Sequence, residues 1–135
     1  MGSKISKIGV HLPEFILTNK KLAEDFGRWE PDKIETKLGI RERHIAAENE
    51  TAGDLAYYAG EKVLKEYNKQ KIEMLILCTQ SPDYFLPTTA CILQDRLGLR
   101  TDIGAYDFNL GCSGFIYGLA MAKSYINSGF ASCVL

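Results

Sequence analysis

The sequence predicts an α/β fold, because short apolar segments alternate with helical patterns along the chain. The run Met74-Leu75-Ile76-Leu77-Cys78 is continuous and apolar, as in a strand covered on both faces of a sheet. Apolar residues recur at helical spacing after Thr51 and Asp54, a pair typical of a capped helix start. Gly98 and Gly129 stand where two later helices should stop. Together these features predict a mixed sheet with helices on both faces.

The first part of the chain should contain two extended segments and two short helices. Residues 4–12 alternate apolar and polar side chains imperfectly, as an opening strand would. Asn19 is expected to cap a helix that Gly27 closes. Pro31 suits the first turn of a second helix, over residues 31–38, and residues 40–45 should be extended.

The remainder should alternate regularly between strands and helices. In chain order, we expect a helix after Thr51, a strand over residues 74–79, a loop over 80–87, a helix over 88–97, a strand over 105–109, a helix from Ser113 to about Ser128, and a strand from Ala131. No repeat or internal linker interrupts this order, which predicts one structural unit.

Composition excludes several classes of function. The 135 residues are 46% hydrophobic and 24% charged, with a net charge of −1, and these values are ordinary for a soluble domain. No basic patch suggests nucleic-acid binding, and no apolar stretch suggests a membrane span or signal peptide. The four cysteines form no C-x-x-C pair, so no metal site or redox motif is indicated, and a cytoplasmic location is expected.

Cys112 is the candidate nucleophile, because it stands between an apolar strand and a long apolar helix. The first N–H groups of a helix lack partners within it, and the helix dipole favours negative charge beside them. Both effects favour the thiolate, which is the nucleophilic form of cysteine. Gly111 and Gly114 permit an unusual turn and close approach by a substrate. The pattern resembles a nucleophile elbow with cysteine in place of serine.

The alternative for Cys112 is simple packing, because free cysteine usually behaves as a small buried hydrophobe. The other three cysteines lie within apolar runs and are predicted to be core residues: Cys78, Cys91 and Cys133. Local chemistry alone leaves both interpretations of Cys112 open. The chain also ends within an apolar strand, residues 131–135, which suggests a piece cut from a longer protein.

Four segments resemble one known family in the same order and with similar spacing: Ile8-Gly9-Val10-His11-Leu12-Pro13, Gly39-Ile40-Arg41-Glu42-Arg43-His44-Ile45-Ala46, Pro87-Thr88-Thr89-Ala90-Cys91, and Asn109-Leu110-Gly111-Cys112-Ser113-Gly114-Phe115. They resemble the β-ketoacyl-acyl-carrier-protein synthase III group of the thiolase-like superfamily. The resemblance implies a thiolase-like fold of two similar halves, of which residues 1–135 are the first. It also implies that Cys112 is the acyl-accepting nucleophile.

The resemblance implies a two-step reaction in the initiation of fatty acid biosynthesis. An acyl group passes from coenzyme A to the cysteine, and a malonyl group on acyl carrier protein then loses carbon dioxide and attacks it. Acyl-CoA and acyl carrier protein are thus the expected partners. The resemblance also implies a homodimer, with neither a permanently bound cofactor nor a metal.

The family's decarboxylation step uses a histidine and an asparagine from the second half. His11 and His44 match other positions of the pattern, and Asn109 lies too near the cysteine. The chain alone is therefore expected to lack condensation activity.

The sequence departs from the family pattern in two places. Lys33 and Lys37 align with a tryptophan and an arginine that hold coenzyme A, while Trp29 lies one helical turn earlier. Trp29 and Lys37 are the coenzyme A candidates, with packing and a solvated helix face as their alternatives. Leu86, preceded by Phe85, takes the place of an aromatic residue that limits the acyl chain, which favours a primer other than acetyl.

Two other functional classes remain open. One is a related carbon–carbon or ester-forming acyltransferase of secondary metabolism or polysaccharide decoration, which the altered coenzyme A segment favours. The other is a noncatalytic half-domain, which the missing histidine and asparagine favour. Acylation of Cys112 would exclude the second.

Overall fold

A computed structural model describes residues 2–135, and in it the chain folds as two units. The larger unit contains residues 2–11 and Thr51–Leu135, and the smaller unit is the segment Leu12–Glu50. The sequence predicted a single unit. The structure divides these residues in two, and within residues 2–135 the two strands of the smaller unit pair only with each other.

The smaller unit contains β1 (Phe15–Thr18), α1 (Asn19–Phe26), α2 (Pro31–Leu38) and β2 (Glu42–Ile45). Strands β1 and β2 are antiparallel. Both predicted helices and the extended segment before Ile45 are confirmed, and α2 has the predicted bounds. Gly27 and Gly39 end the helices with φ of 62° and 68°, a backbone conformation that glycine adopts without strain.

The predicted cap of α1 is wrong by one residue. Thr18 is the N-cap, and its hydroxyl accepts a hydrogen bond from the N–H of Lys21 at 3.2 Å. Asn19 is buried instead, where its amide donates to the carbonyl of Ile40 and accepts from Arg43, both at 2.8 Å. Because a buried amide must satisfy both its donor and its acceptor, Asn19 ties the start of α1 to β2.

The larger unit contains α3 (Ala52–Leu64), β3 (Met74–Cys78), α4 (Thr89–Arg96), β4 (Gly104–Phe108) and α5 (Gly114–Ser128). The predicted capping signal is confirmed, because the Thr51 hydroxyl accepts from the N–H of Asp54 while the Asp54 carboxylate accepts from the N–H of Thr51. No helix of residues 2–135 is long and apolar enough to cross a membrane.

Strands β3 and β4 are parallel, with Met74 opposite Gly104 and Cys78 opposite Phe108. The end of the chain lies along the other edge of β3, where the N–H of Leu135 donates to the carbonyl of Met74 at 2.9 Å. The predicted last strand is reduced there to a single bridge, from Met74 to Val134. Parallel and antiparallel pairing both occur in the chain, but in two separate sheets.

The predicted opening strand at residues 4–12 is wrong, because no strand of the described chain pairs with it. Part of this segment packs on α3 instead. A Cβ atom at Gly9 would collide with the carbonyl of Ala59 and lie 2.7 Å from the Val63 side chain. The apolar residues of the segment do not share this contact, because Ile5, Ile8 and Val10 are 58%, 72% and 58% exposed.

Side chains alternate between the two faces of the β3–β4 pair. Leu75, Leu77 and Ala105 pack with the buried residues of α4, Ala90 and Leu93. The intervening residues point the other way, toward α5. The Tyr106 hydroxyl lies 3.3 Å from the Met121 sulfur, and the Phe108 ring lies 3.6 Å from the position of a Cβ on Gly118. The prediction of helices on both faces is confirmed for this pair of strands.

Candidate active site

Cys112 lies in the short turn between β4 and α5, with an exposed side chain. The predicted order of strand, glycine turn and helix is confirmed. The helix begins one residue later than expected, with Ser113 at the N-cap and Gly114 in the first turn. Cys112 is not a packed hydrophobe in this structure, so the packing alternative for this residue is not supported.

The backbone of this turn differs from that of a nucleophile elbow. No non-glycine residue among residues 2–135 has positive φ, and neither Gly111 nor Gly114 has it. The strain that the elbow comparison implied is therefore absent at Cys112. Gly114 is required for space instead, because a Cβ there would collide with the sulfur of Cys78.

The end of β3 packs against the turn that carries Cys112. Cys78 lies under Gly114, and its thiol donates a weak hydrogen bond to the carbonyl of Leu110 at 3.5 Å. Two residues later on the chain, the side-chain oxygen of Gln80 lies 3.5 Å from where a Cβ on Gly111 would stand. Sequence reasoning treated Cys78 as a core residue and did not single out Gln80. Their two-residue spacing gave no signal for this, because β3 ends at Cys78 and Gln80 lies beyond the strand.

Some backbone N–H groups at the turn are hydrogen-bonded within the chain, and others are not. The N–H of Gly114 donates to the carbonyl of Gly111 at 2.8 Å, and the N–H of Tyr117 donates to that of Ser113 at 3.1 Å. Within residues 2–135, the N–H groups of Cys112 and Ser113 have no acceptor. Unpaired N–H groups beside a nucleophile can stabilise the negative oxygen that forms when a thioester is attacked.

The remaining cysteines have different environments. Cys78 and Cys133 are half-buried, as expected of packing residues, and the Cys133 thiol lies 3.4 Å from the Tyr67 hydroxyl. The prediction that Cys91 is a core residue is wrong, because its side chain is exposed. It follows the fully buried Ala90 on α4, and successive residues of a helix point about 100° apart.

Burial constrains the ionisation of one side chain on the α5 face. It raises the pKa of Tyr106 to about 12, and a contact with the Tyr125 hydroxyl at 3.5 Å adds to this effect. The Tyr106 phenol is thus neutral at physiological pH. No group of three or more metal-binding side chains occurs in the part of the chain that the structure describes.

Trp29 and Lys37 lie together in the smaller unit, as their common role would require. They line a cavity of about 240 Å³, and the Lys37 ammonium lies 6.0 Å from the centre of the Trp29 ring. Lys33, also on this cavity, pairs with Glu30 at 2.9 Å. Among the described residues no carboxylate pairs with Lys37, so its charge is available to an anionic ligand.

Arg43 also lines this cavity, and sequence reasoning did not assign it a binding role. One of its terminal nitrogens donates to the side-chain oxygen of Asn19 at 2.8 Å, which fixes the guanidinium. Arg43 supplies the planar cationic group that Lys37 lacks. One sequence feature could have pointed to Arg43. It follows Glu42 in a half-buried strand, where a charged side chain needs a partner.

The proposed acyl-pocket residues are the most exposed large apolar side chains of the larger unit. Phe85 is 96% exposed and Leu86 is 83% exposed, both in the loop that joins β3 to α4. The two histidines have packing contacts instead. His44 hydrogen-bonds the carbonyl of Pro13 at 2.6 Å, and the His11 ring lies 4.8 Å from that of Tyr58. These contacts support the structural roles expected for both histidines.

Comparison with known proteins identifies the class of the fold first. A crystal structure of 3-oxoacyl-(acyl-carrier-protein) synthase III superimposes with a TM-score of 0.90 at 53% identity, over 97% of this chain and 40% of that one. The enzyme from Thermus thermophilus gives a TM-score of 0.86 at 36% identity, over 98% and 41%. The fold is thus α/β and thiolase-like, as the resemblance implied.

Sequence comparisons then identify the family. The family model for 3-oxoacyl-[acyl-carrier-protein (ACP)] synthase III matches residues 106–135, which include Cys112. Beta-ketoacyl-[acyl-carrier-protein] synthase III of Xylella fastidiosa strain Temecula1 is 43% identical over 98% of this chain and 41% of its own length. The chain belongs to the 3-oxoacyl-acyl-carrier-protein synthase III family, and the resemblance to its N-terminal half is confirmed. It spans about two fifths of the length of the relatives it matches.

Proposed function

We propose that the protein to which this chain belongs is a condensing acyltransferase that uses Cys112 as its acyl acceptor. The observation that carries the proposal is an exposed thiol beside unpaired N–H groups at the start of α5. Relatives named as β-ketoacyl-acyl-carrier-protein synthases support it. The proposed pathway is the initiation of fatty acid biosynthesis, in the cytoplasm.

In the first step, the Cys112 thiolate attacks the carbonyl carbon of an acyl-CoA. A carbon–sulfur bond forms to the enzyme, the tetrahedral oxyanion collapses, and coenzyme A leaves as a thiolate. The N–H groups of Cys112 and Ser113 are suited to stabilise that oxyanion, because no other acceptor in the described chain competes for them. Cysteine serves this step well because it is both a good nucleophile and a good leaving group.

In the second step, malonyl-acyl carrier protein loses carbon dioxide. The α-carbon of the enolate that remains on the carrier then attacks the carbonyl carbon of the acyl-cysteine. A carbon–carbon bond forms, the bond to Cys112 breaks, and the product is a 3-oxoacyl thioester on the carrier. The histidine and asparagine that serve decarboxylation in the family are proposed to come from residues outside this chain. Residues 1–135 alone are therefore proposed to accept no malonyl group productively.

The cavity of the smaller unit is proposed to hold coenzyme A. Trp29 is 58% exposed, so part of its side chain is accessible to an adenine. Lys37 has no carboxylate partner within residues 2–135 and can contact a phosphate as a point charge. Arg43 adds a further cation on the same cavity. No resident cofactor or metal is proposed.

The loop that carries Phe85 and Leu86 is proposed to limit the length of the acyl chain. Large apolar side chains that are almost fully exposed are suited to contact a ligand or a second copy of the protein. A homodimer is accordingly proposed. Leucine is smaller than an aromatic side chain, so the proposed primer is longer or more branched than acetyl.

Intact-mass analysis tests the proposal. The full-length protein is incubated with acyl-CoA donors of two to eight carbons, beside the variants Cys112→Ala and Cys91→Ala. Cys91 is the matched control because it is also an exposed free thiol. The expected result is one acyl increment that Cys112→Ala loses and Cys91→Ala keeps. An increment that survives in Cys112→Ala would contradict the proposal, and acylation without a 3-oxoacyl product from malonyl-acyl carrier protein would favour a related acyltransferase.

A further inference from the structure

Asp83 joins three segments of the larger unit at the base of the loop that carries Phe85 and Leu86. One carboxylate oxygen accepts from the N–H of Gly53 at 3.0 Å, and the other lies 3.0 Å from the hydroxyl of Thr51, whose single proton it shares with Asp54. The N–H of Asp83 donates to the Thr89 hydroxyl at 2.9 Å. The loop is therefore bonded both to the start of α3 and to the start of α4.

The surroundings of Asp83 fit a carboxylate closely. Gly53 lies in the first turn of α3, whose unpaired N–H groups and dipole favour negative charge. A Cβ at Gly53 would collide with the Asp83 carboxylate and lie 3.0 Å from the Thr89 methyl group. Thr89 is only 1% exposed, so its hydroxyl depends on partners within the protein. Glycine at this position therefore allows the acid to reach the helix.

A second carboxylate extends these bonds to the strand that leads to the nucleophile. Asp107 lies in β4 and accepts from the N–H groups of Thr89 and Ala90, at 2.8 and 2.6 Å. Thr88, the N-cap of α4, makes no side-chain cap bond, so Asp107 takes that function from another element. A continuous series of hydrogen bonds thus runs from α3 through Asp83 and Thr89 to the strand that precedes Cys112.

The tip of the loop contrasts with this fixed base. Phe85 and Leu86 bury almost none of their surface, although Asp83, two residues earlier, is bonded at three atoms. A loop that is held at its base while it presents apolar side chains can discriminate among ligands by length, because it does not move away from a chain that is too long. Binding discrimination of this kind requires a site that resists adjustment.

We propose that Asp83 is a positioning residue for acyl-chain selection. Through its bonds to Gly53, Thr51 and Thr89 it fixes the tip at residues 84–86, and the fixed tip sets the acyl length that Cys112 accepts. This inference rests on the proposed function. It adds to that function a residue that touches neither the acyl chain nor the nucleophile.

The test compares acylation rates of the full-length protein with saturated acyl-CoA donors of two, four, six and eight carbons, each supplied alone. The variants are Asp83→Ala, Asp83→Asn and Gly53→Ala, with Asp95→Asn as the control, an exposed acid on α4. The readout is the ratio of the rate with the best donor to the rate with the donor two carbons longer. Hydrogen exchange of the amides in residues 80–88 is measured on the same samples.

The expected result is that Asp83→Ala and Gly53→Ala each reduce this ratio about fivefold or more, since size discrimination per added carbon spans roughly 10- to 200-fold in rigid sites. Loop exchange should rise in both variants, and the rate with the best donor should change by less than about twofold. Asp83→Asn keeps the shape and one acceptor, so it should give an intermediate ratio. If Asp83→Ala does not fold, Asp83→Asn is used to test the proposal.

Two failures can be distinguished. A wild-type protein that selects among donors, with the same ratio in Asp83→Ala and Gly53→Ala, would overturn the role of Asp83 even if both variants melt at a lower temperature. A wild-type protein that takes no acyl group from any donor would overturn the proposed function, and the assignment of Asp83 to acyl selection with it.

Discussion

The two faces of the β3–β4 pair differ in how completely they are covered. On the α4 face, Leu75 and Leu93 are buried within the hydrophobic core. On the α5 face, Met74 is buried, but Ile76 is only half-buried and Phe115 of α5 is 65% exposed. Neighbouring residues of one strand thus serve different ends. One face supplies stability, and the other presents the turn that carries the thiol.

The largest expected effect is on the chemistry of the α5 side. Cys112→Ala should lower the rate of acyl transfer by about a thousandfold or more, because no other group supplies the nucleophile. The free energy of unfolding should change by less than about 0.5 kcal/mol, because the side chain is exposed. Single-turnover acylation and urea denaturation measure the two quantities. A large loss of stability in Cys112→Ala would contradict the view that the α4 face supplies stability and the α5 face presents the thiol.

The next largest effect should fall on the stability of the α4 face. Leu75→Ala should lower the free energy of unfolding by about 2–5 kcal/mol, because it leaves a cavity in the core. Ile76→Ala, one residue along the same strand, is the matched comparison and should cost less. Urea denaturation of both variants measures this difference. Equal losses would show that the open face contributes as much to stability as the covered one.

A pair of substitutions tests the contact between β3 and the nucleophile turn. Gly114→Ala should cost about 1–3 kcal/mol and slow acylation, since the new methyl group collides with the sulfur of Cys78. Cys78→Ala removes that sulfur and leaves the new methyl group 3.7 Å from the Cys78 Cβ. The double variant should therefore recover much of the loss, as a double-mutant cycle would measure. Strict additivity would disprove the contact.

A smaller effect is expected in the smaller unit. Lys37→Ala should raise the KM for acyl-CoA about fivefold, equivalent to roughly 1 kcal/mol, and leave the maximal rate unchanged. Lys20→Ala, an exposed lysine on α1, is the control. Steady-state kinetics at low and high salt measure both variants, and the difference should shrink at high salt because exposed charges are screened. An unchanged KM would remove Lys37 from the proposed binding site.

The smallest expected effect concerns pH. A hydrogen bond from the backbone of Thr51 holds the pKa of the Asp54 carboxyl below its ordinary value. Its contribution to stability is therefore present above the unfolded pKa and is lost as pH falls through the lower folded pKa. Asp54→Asn should cost about 1 kcal/mol near neutral pH and progressively less in acid. Thermal melts at several pH values should show the two proteins converging as the pH falls.

Local signals predicted most of the elements. The bounds of α2 follow from Pro31 and Gly39, and the start of α3 follows from Thr51 and Asp54, because caps and turn residues act over a few positions. The strand expected at residues 4–12 was wrong because a strand depends on a partner elsewhere in the chain. Sequence spacing alone does not disclose such a partner.

In the candidate site, too, the features that depend on residues adjacent in sequence could be predicted, and those that depend on distant contacts could not. Cys112 could be identified from its strand, glycines and helix, which are adjacent in sequence. The roles of Cys78, Asp83 and Asp107 could not, because each depends on a contact across many residues, such as Asp83 with Gly53 or Cys78 with Leu110. Asp107 gave one usable signal, since a carboxylate within an apolar strand must find donors when it is enclosed.

Asp107 also has a consequence for how the sheet can assemble. A shift of one residue would reverse the faces of every side chain in β4. The carboxylate would then face α5, away from the N–H groups of Thr89 and Ala90 that it contacts in the native pairing. A carboxylate without donors is costly to enclose, whereas the apolar residues of β4 could tolerate either face. One acid therefore penalises the misaligned sheet and leaves the native register favoured during folding.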